Sequence, residues 1–108
     1  MPTDQLRTKV LRTIGGHARW KELSTTEFTA RYGWHEEQMI RDVQHALEHG
    51  CGYCGDAYTA LRDVTFDVKD QREEPDYATN VTLCCNRCNS SKGDTPLANW
   101  PGRPTRTR

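Results

Sequence analysis

CGYC at residues 51–54 and CNRC at residues 85–88 are the two stretches that decide the fold of this chain. Each CxxC turn presents two thiolates from one tight loop, and two such turns supply the four ligands of a closed, tetrahedral zinc site. The fifth cysteine, Cys84, allows a Cys84-x3-Cys88 pairing, but the two-residue gap that follows Cys85 repeats the gap of the first turn. We therefore expect Cys84 to end a strand as a small apolar residue. The predicted ligands of one structural Zn²⁺ are Cys51, Cys54, Cys85 and Cys88.

The composition explains why such a chain needs a metal. Only 34% of its 108 residues are apolar and the mean hydropathy is −0.91, so it can bury only a modest core. Small domains with a modest core usually need an additional stabilising element, such as a bound metal ion. The first residues lack the apolar stretch of a secretory signal, so we expect a cytoplasmic protein with reduced, metal-binding cysteines. No stretch approaches the roughly 20 apolar residues of a membrane span, and fifteen charges of each sign exclude a polybasic nucleic-acid coat.

Residues 1–50 carry no cysteine and show the apolar spacing of helices. The first predicted helix covers residues 4–14 and ends at Gly15-Gly16. The capping box at residues 24–27 predicts a second, short helix that stops at a glycine, and the spacing over residues 35–49 predicts a third. On the first helix, the residues predicted to share one apolar face are Leu6, Val10, Leu11 and Ile14.

The pattern changes after residue 50. Alternating apolar and polar residues over 64–68 predict a half-buried strand, and residues 69–79 read as a polar loop. A second short strand is predicted over residues 81–83, followed by the second CxxC turn and the start of a helix. Residues 94–108 are predicted to form one further turn and a disordered tail that carries Arg103, Arg106 and Arg108.

Residues 51–93 resemble the HNH endonucleases of the ββα-metal fold, over 43 of the 108 residues. The matching motifs are CxxCG, then Val-Thr-Phe-Asp at 64–67, then Asn-Val-Thr-Leu at 80–83, and finally CxxCNxxKG at 85–93. The resemblance implies an α+β protein in which N-terminal helices, residues 1–50, precede a zinc-stabilised ββα-metal (HNH) domain. On this basis residues 94–108 form a C-terminal turn and tail.

The resemblance also implies a function, the hydrolysis of DNA phosphodiester bonds with a catalytic Mg²⁺ or Mn²⁺. Asp67 and Asn89 match the residues that bind this cation, and Asn80 matches the residue that orients the loop beside it. Lys92 matches a basic residue near the DNA backbone, and Arg87 is predicted to contact nucleic acid because it flanks the same site. Such small proteins are typical of bacteria and phages, and we expect DNA, and other proteins of a larger assembly, as partners.

One position departs from the family pattern. The family carries a histidine, the general base, directly after the metal-binding aspartate, and this chain has Val68 there. Asp70 is the nearest polar substitute, and we include it among the predicted catalytic residues. The departure leaves two functions open, which are an HNH-type endonuclease and a catalytically silent zinc module that binds nucleic acid or protein.

A third interpretation assigns recognition to the helical half, as in a zinc-ribbon-like accessory protein. Residues 28–43 have part of the apolar pattern of a helix-turn-helix, but the candidate recognition helix begins WHEEQMIRD, and its acidic start would repel phosphate. The zero net charge predicts weak non-specific affinity for DNA. The sequence does not indicate an oligomeric state.

Overall fold

The computed structural model describes residues 2–103 and shows helices packed on a small antiparallel sheet, so the predicted α+β class is confirmed. The two strands, which pair with Val64 opposite Cys85 and Val68 opposite Val81, are β1 (Val64–Val68) and β2 (Val81–Cys85). The five α-helices are α1 (Thr3–Trp20), α2 (Thr25–Tyr32), α3 (Glu36–His49), the single turn α4 (Tyr77–Asn80) and α5 (Asn86–Lys92). Short 3-10 turns at Leu61–Asp63 and Leu97–Asn99 complete the described chain.

Helix α1 runs six residues beyond its predicted end, through Gly15-Gly16. A glycine inside a helix costs about 1 kcal/mol relative to alanine, but Ala18 continues the buried face and keeps this last turn against the core. The helix ends instead at a left-handed Glu22, with φ of 58°. There the Leu23 N–H donates to the Ala18 carbonyl at 2.9 Å, which is the hydrogen bond of a Schellman cap.

The other helical predictions agree closely with the structure. The Ser24 hydroxyl accepts a hydrogen bond from the Glu27 N–H at 3.1 Å, so the capping box is confirmed. Gly33 ends α2 in the left-handed region, with φ of 77°. The prediction for Leu11 was wrong, because its side chain is 49% exposed. The buried residues of α1 instead recur at every fourth position and are Leu6, Val10, Ile14 and Ala18.

Trp34, in the turn between α2 and α3, joins the helices to the sheet. Its side chain is fully buried, and its ring centroid lies 5.3 Å from that of Phe28 and 6.4 Å from that of Phe66. The indole N–H donates to the Pro75 carbonyl at 2.7 Å, which satisfies its polar atom inside the core. The buried face of β1 belongs to the same apolar cluster as α1, α2 and α3. The helical segment and β1 therefore share one apolar core, and the buried cysteines form a second cluster.

The second half differs from its predicted bounds by a few residues. Strand β2 extends to Cys85, and α5 begins at Asn86 rather than at Asn89. A single helical turn, α4, interrupts the predicted loop just before β2. Arg103 belongs to the folded protein, because its guanidinium contacts the side chains of Asp56 and Cys88. Residues 104–108, with Arg106 and Arg108, lie outside the described residues. Among residues 2–103, no helix combines the length and the apolar character of a membrane span.

Candidate functional site

The four predicted zinc ligands lie together at one end of the hairpin. Cys51 and Cys54 come from the turn after α3, Cys85 ends β2, and Cys88 lies in the first turn of α5. Their Sγ atoms all lie within 4.8 Å of one another. Zn–S bonds of about 2.3 Å in a tetrahedron separate two sulfurs by about 3.8 Å, and the Cys54 and Cys85 sulfurs are 3.9 Å apart. The cluster can hold a metal ion and is compatible with a structural zinc site.

Hydrogen-bond donors surround these sulfurs, as the charge of thiolate ligands requires. The Cys51 Sγ accepts from the backbone N–H groups of Tyr53, Cys54 and Cys85 at 3.2 to 3.5 Å. Burial raises the pKa of the Cys51 thiol, but these hydrogen bonds outweigh burial and lower it to about 7. The Arg103 Nε donates to the Cys88 Sγ at 3.4 Å. Arg103 thus adds a positive charge to the site, a contribution that no local pattern in the sequence indicates.

Cys84 stands apart from the cluster, as predicted. It is fully buried on β2, and its Sγ lies 3.2 Å from the Thr65 hydroxyl on β1. Burial raises the pKa of the Cys84 thiol to about 12. A buried, protonated thiol is a poor metal ligand and a poor nucleophile.

A second site lies along the free edge of β1, in a cleft of about 550 Å³ between α1 and α5. Asp67 from β1 and Asn89 from α5 both line this cleft, so the structure brings together the two residues predicted to bind a divalent cation. Three ionisable residues of α1, which are Lys9, Arg12 and His17, line its opposite wall. None of these three was a predicted site residue, although their spacing along one helix face was a usable signal.

Asp67 is held in place by two partners. It is only 4% exposed, and its Oδ2 accepts a hydrogen bond from the Tyr53 hydroxyl at 2.6 Å and forms an ion pair with the Lys92 ammonium at 3.0 Å. The ammonium also donates to the Val68 carbonyl at 3.2 Å. The other carboxylate oxygen, Oδ1, makes no hydrogen bond within the part of the chain that the structure describes. One oxygen of Asp67 is thus left for a further ligand.

One of the two predicted nucleic-acid contacts, that of Lys92, needs correction, and that of Arg87 stays a prediction. The Lys92 side chain is fully buried in its ion pair with Asp67, because a charged group inside a protein needs an opposite charge nearby. It therefore lies out of reach of a DNA backbone. Arg87 lies 3.8 Å from the Asp56 carboxylate and does not line the cleft. The cations of the cleft wall are instead Lys9 and Arg12.

Asn80 lies beside the loop that follows β1 and outside the cleft lining. Its side-chain oxygen accepts from the Asp70 N–H at 3.1 Å, and its amide nitrogen donates to the carbonyls of Asp70 and Glu74 at 2.9 and 3.1 Å. One side chain therefore ties both ends of a five-residue stretch of loop. Asn80 therefore holds the start of the loop that follows β1 in place.

The geometry does not favour Asp70 as a substitute base. Its carboxylate accepts from the Arg72 Nε at 3.0 Å and from the Arg72 Nη2 at 2.9 Å. These side-chain hydrogen bonds lower the pKa of Asp70, which makes it a weaker proton acceptor. Asp70 also lies outside the cleft that holds Asp67. Asp70 was predicted because it lies close to Asp67 in the sequence. In the structure its carboxylate is instead engaged by the Arg72 guanidinium.

His17 is the one histidine of the described chain that reaches the cleft. Its Nδ1 lies 3.0 Å from the Thr13 carbonyl, and its ring packs against Trp34 with a centroid separation of 4.5 Å. Burial lowers the pKa of His17, and this effect exceeds the opposing effects of the Thr13 carbonyl and the Asp67 charge. No local pattern distinguishes His17 from the other three histidines of the sequence.

Comparisons of the chain with protein-family models, with curated proteins and with solved structures find no match. Two features of the molecule therefore bear on its function, a four-thiol cluster at one end of the hairpin and a polar cleft along β1.

Proposed function

We propose that this protein is a metal-dependent endonuclease that hydrolyses DNA phosphodiester bonds and folds around a structural four-cysteine zinc site. The observation that carries the proposal is the position of Asp67 and Asn89 on one cleft. These are the two residues to which the HNH resemblance gives the catalytic cation. The hairpin and the helix that present them are tied together by the thiol cluster, since Cys85 lies between them.

The chemistry of the donors suits a hard cation. Mg²⁺ prefers oxygen ligands and keeps several of its waters. Asp67 through its Oδ1 and Asn89 through its amide oxygen would hold Mg²⁺ or Mn²⁺, which when bound stabilises the charge of the reacting phosphate. Tyr53 and Lys92 hold the other oxygen of Asp67 and so fix the orientation of its carboxylate. On the opposite wall, Lys9 and Arg12 supply positive charge for the phosphates that flank the reacting group.

The same contacts set the strength of metal binding. The Lys92 ammonium neutralises the single carboxylate of the cleft, so a divalent cation gains little net attraction there. We therefore expect activity only at millimolar Mg²⁺, and higher activity with Mn²⁺, which binds the same donor types more tightly.

The test is a plasmid-nicking assay on the zinc-loaded protein with Mg²⁺ or Mn²⁺. Asn89→Ala is the variant of choice, because Asn89 is partly exposed and makes no buried ion pair. Ser90→Ala, an exposed neighbour on α5 that does not line the cleft, is the matched control. We expect Asn89→Ala to lose nicking while Ser90→Ala retains it. Equal nicking by both variants, or no metal-dependent nicking by the wild type, would refute the proposal.

A second function is favoured by one specific observation, the buried ion pair of Asp67 with Lys92. In a catalytically silent zinc module this pair has a structural role, and the protein binds nucleic acid or a partner protein without cleavage. Val68, only 3% exposed within the core, agrees with this alternative because it leaves no base on β1. The two functions differ in one measurement, since the silent module binds DNA with an affinity that Mn²⁺ does not change.

A further inference from the structure

His17 lies opposite the position where the family pattern has its missing base. The strand that carries Asp67 offers only Val68, whose side chain is in the core. The His17 imidazole on α1 lines the same cleft, although it precedes Asp67 by fifty residues in the sequence. Gly16 beside it leaves open space, because a Cβ built there would meet nothing within 4 Å. The cleft thus has both a proton acceptor and room next to it.

The hydrogen bond of His17 determines which ring nitrogen is free. A carbonyl oxygen can only accept, so the 3.0 Å contact with Thr13 requires the proton of a neutral ring to be on Nδ1. The Nε2 then carries a lone pair, and it has no hydrogen-bond partner among residues 2–103. Packing against Trp34 holds the ring plane in position. This is the arrangement that orients a histidine to accept a proton.

The surroundings favour the neutral ring. Burial of His17 lowers its pKa, so the imidazole has its Nε2 lone pair at neutral pH. The negative charge of Asp67 acts in the opposite direction, but it is a weaker effect than burial.

We propose that His17 is the general base of the reaction, in place of the histidine that Val68 replaces; this inference rests on the nuclease function proposed above. The Nε2 takes a proton from a water molecule in the cleft. The water oxygen forms a bond to phosphorus, and the bond from phosphorus to the leaving sugar oxygen breaks. The leaving oxygen takes a proton from solvent, and His17 later returns its own proton to solvent.

The first test is kinetic. His17→Gln keeps a polar side chain but cannot accept a proton, so nicking should fall by about 10²- to 10⁴-fold, the usual contribution of general-base catalysis. His49→Gln, an exposed histidine at the end of α3, is the matched control and should nick like the wild type. Zinc content and thermal unfolding are measured on both variants. If His17→Gln nicks at the wild-type rate while Asn89→Ala is inactive, His17 is not the base and the nuclease function stands. No nicking by the wild type overturns both proposals.

The second test needs no activity and no variant. Long-range ¹H–¹⁵N NMR of the zinc-loaded wild type at pH 7 distinguishes protonated from unprotonated ring nitrogens. We expect His17 to show a protonated Nδ1 and an unprotonated Nε2. A ring with its proton on Nε2, or with both nitrogens protonated, has no free lone pair and would overturn the inference whatever the nicking assay shows.

Discussion

The buried pair of Asp67 and Lys92 gives the sharpest test of the structure. Lys92→Met keeps a flexible side chain of similar length in the same space but removes the charge. Breaking a buried ion pair on one side typically costs 3 to 5 kcal/mol. The lower end applies here, about 3 kcal/mol, because Tyr53 still donates to the carboxylate at 2.6 Å. For a domain of this size that loss lowers the melting temperature by roughly 12 °C or more.

A double-mutant cycle shows whether the pair itself is responsible. Asp67→Asn alone leaves the ammonium buried without an anion, and the double variant removes both charges. The double variant should cost roughly 2 to 3 kcal/mol less than the sum of the two single variants, at the upper end of coupling between contacting residues. Lys69→Met, a partly exposed lysine in the following loop, controls for the loss of a charge.

Urea unfolding of the zinc-loaded proteins measures all four free energies. Additivity of the single variants to within about 0.5 kcal/mol would show that the carboxylate and the ammonium do not interact in the folded protein. The geometry of the cleft would then be wrong at its centre. Asp67 would be free to take another orientation, and the argument for a single available oxygen would fail.

Three further predictions concern the remaining features. Cys85→Ser should reduce bound zinc and unfold the protein at a lower temperature, whereas Cys84→Ser should keep one equivalent of zinc; equal zinc content in the two variants would contradict the thiol geometry. Arg12→Gln should weaken DNA binding and make the slope of log K against log salt shallower by the contribution of about one phosphate contact. Arg87→Gln should leave that slope unchanged. Fluorescence anisotropy at several salt concentrations measures both slopes. Val68→His should lower the melting temperature without raising nicking, because it places an imidazole in the apolar core, and a stable variant with faster nicking would show that this side chain can reach the cleft.

The sequence predicted those parts of the molecule that depend on short stretches of chain. The gap of two residues between cysteines places a pair of thiols on one turn wherever that turn lies. The alternation over residues 64–68 matches the bounds of β1, although Asp67 on the predicted polar face is buried as well. The serine of the capping box likewise acts only on the N–H three residues ahead.

Features that depend on packing between distant stretches could not be predicted in this way. From the sequence, a lysine near a helix end is expected to be exposed. Lys92 is instead the buried partner of Asp67, because α5 packs against β1. The placement of His17 depends on how α1 packs beside the sheet, which no local pattern determines. Helix α1 passes Gly15-Gly16 for a related reason, because the tertiary burial of Ala18 outweighs the local preference of the glycines.

Tyr53 lies between Cys51 and Cys54, so its backbone is shaped by the thiol cluster while its hydroxyl holds Asp67. This double contact couples the thiol cluster to the cleft. A change in the shape of the first CxxC turn, such as loss of a bound metal could cause, would move the phenol and weaken its hold on the Asp67 carboxylate. Under the proposed function, nicking should therefore depend on an intact CxxC turn, although no cysteine lines the cleft.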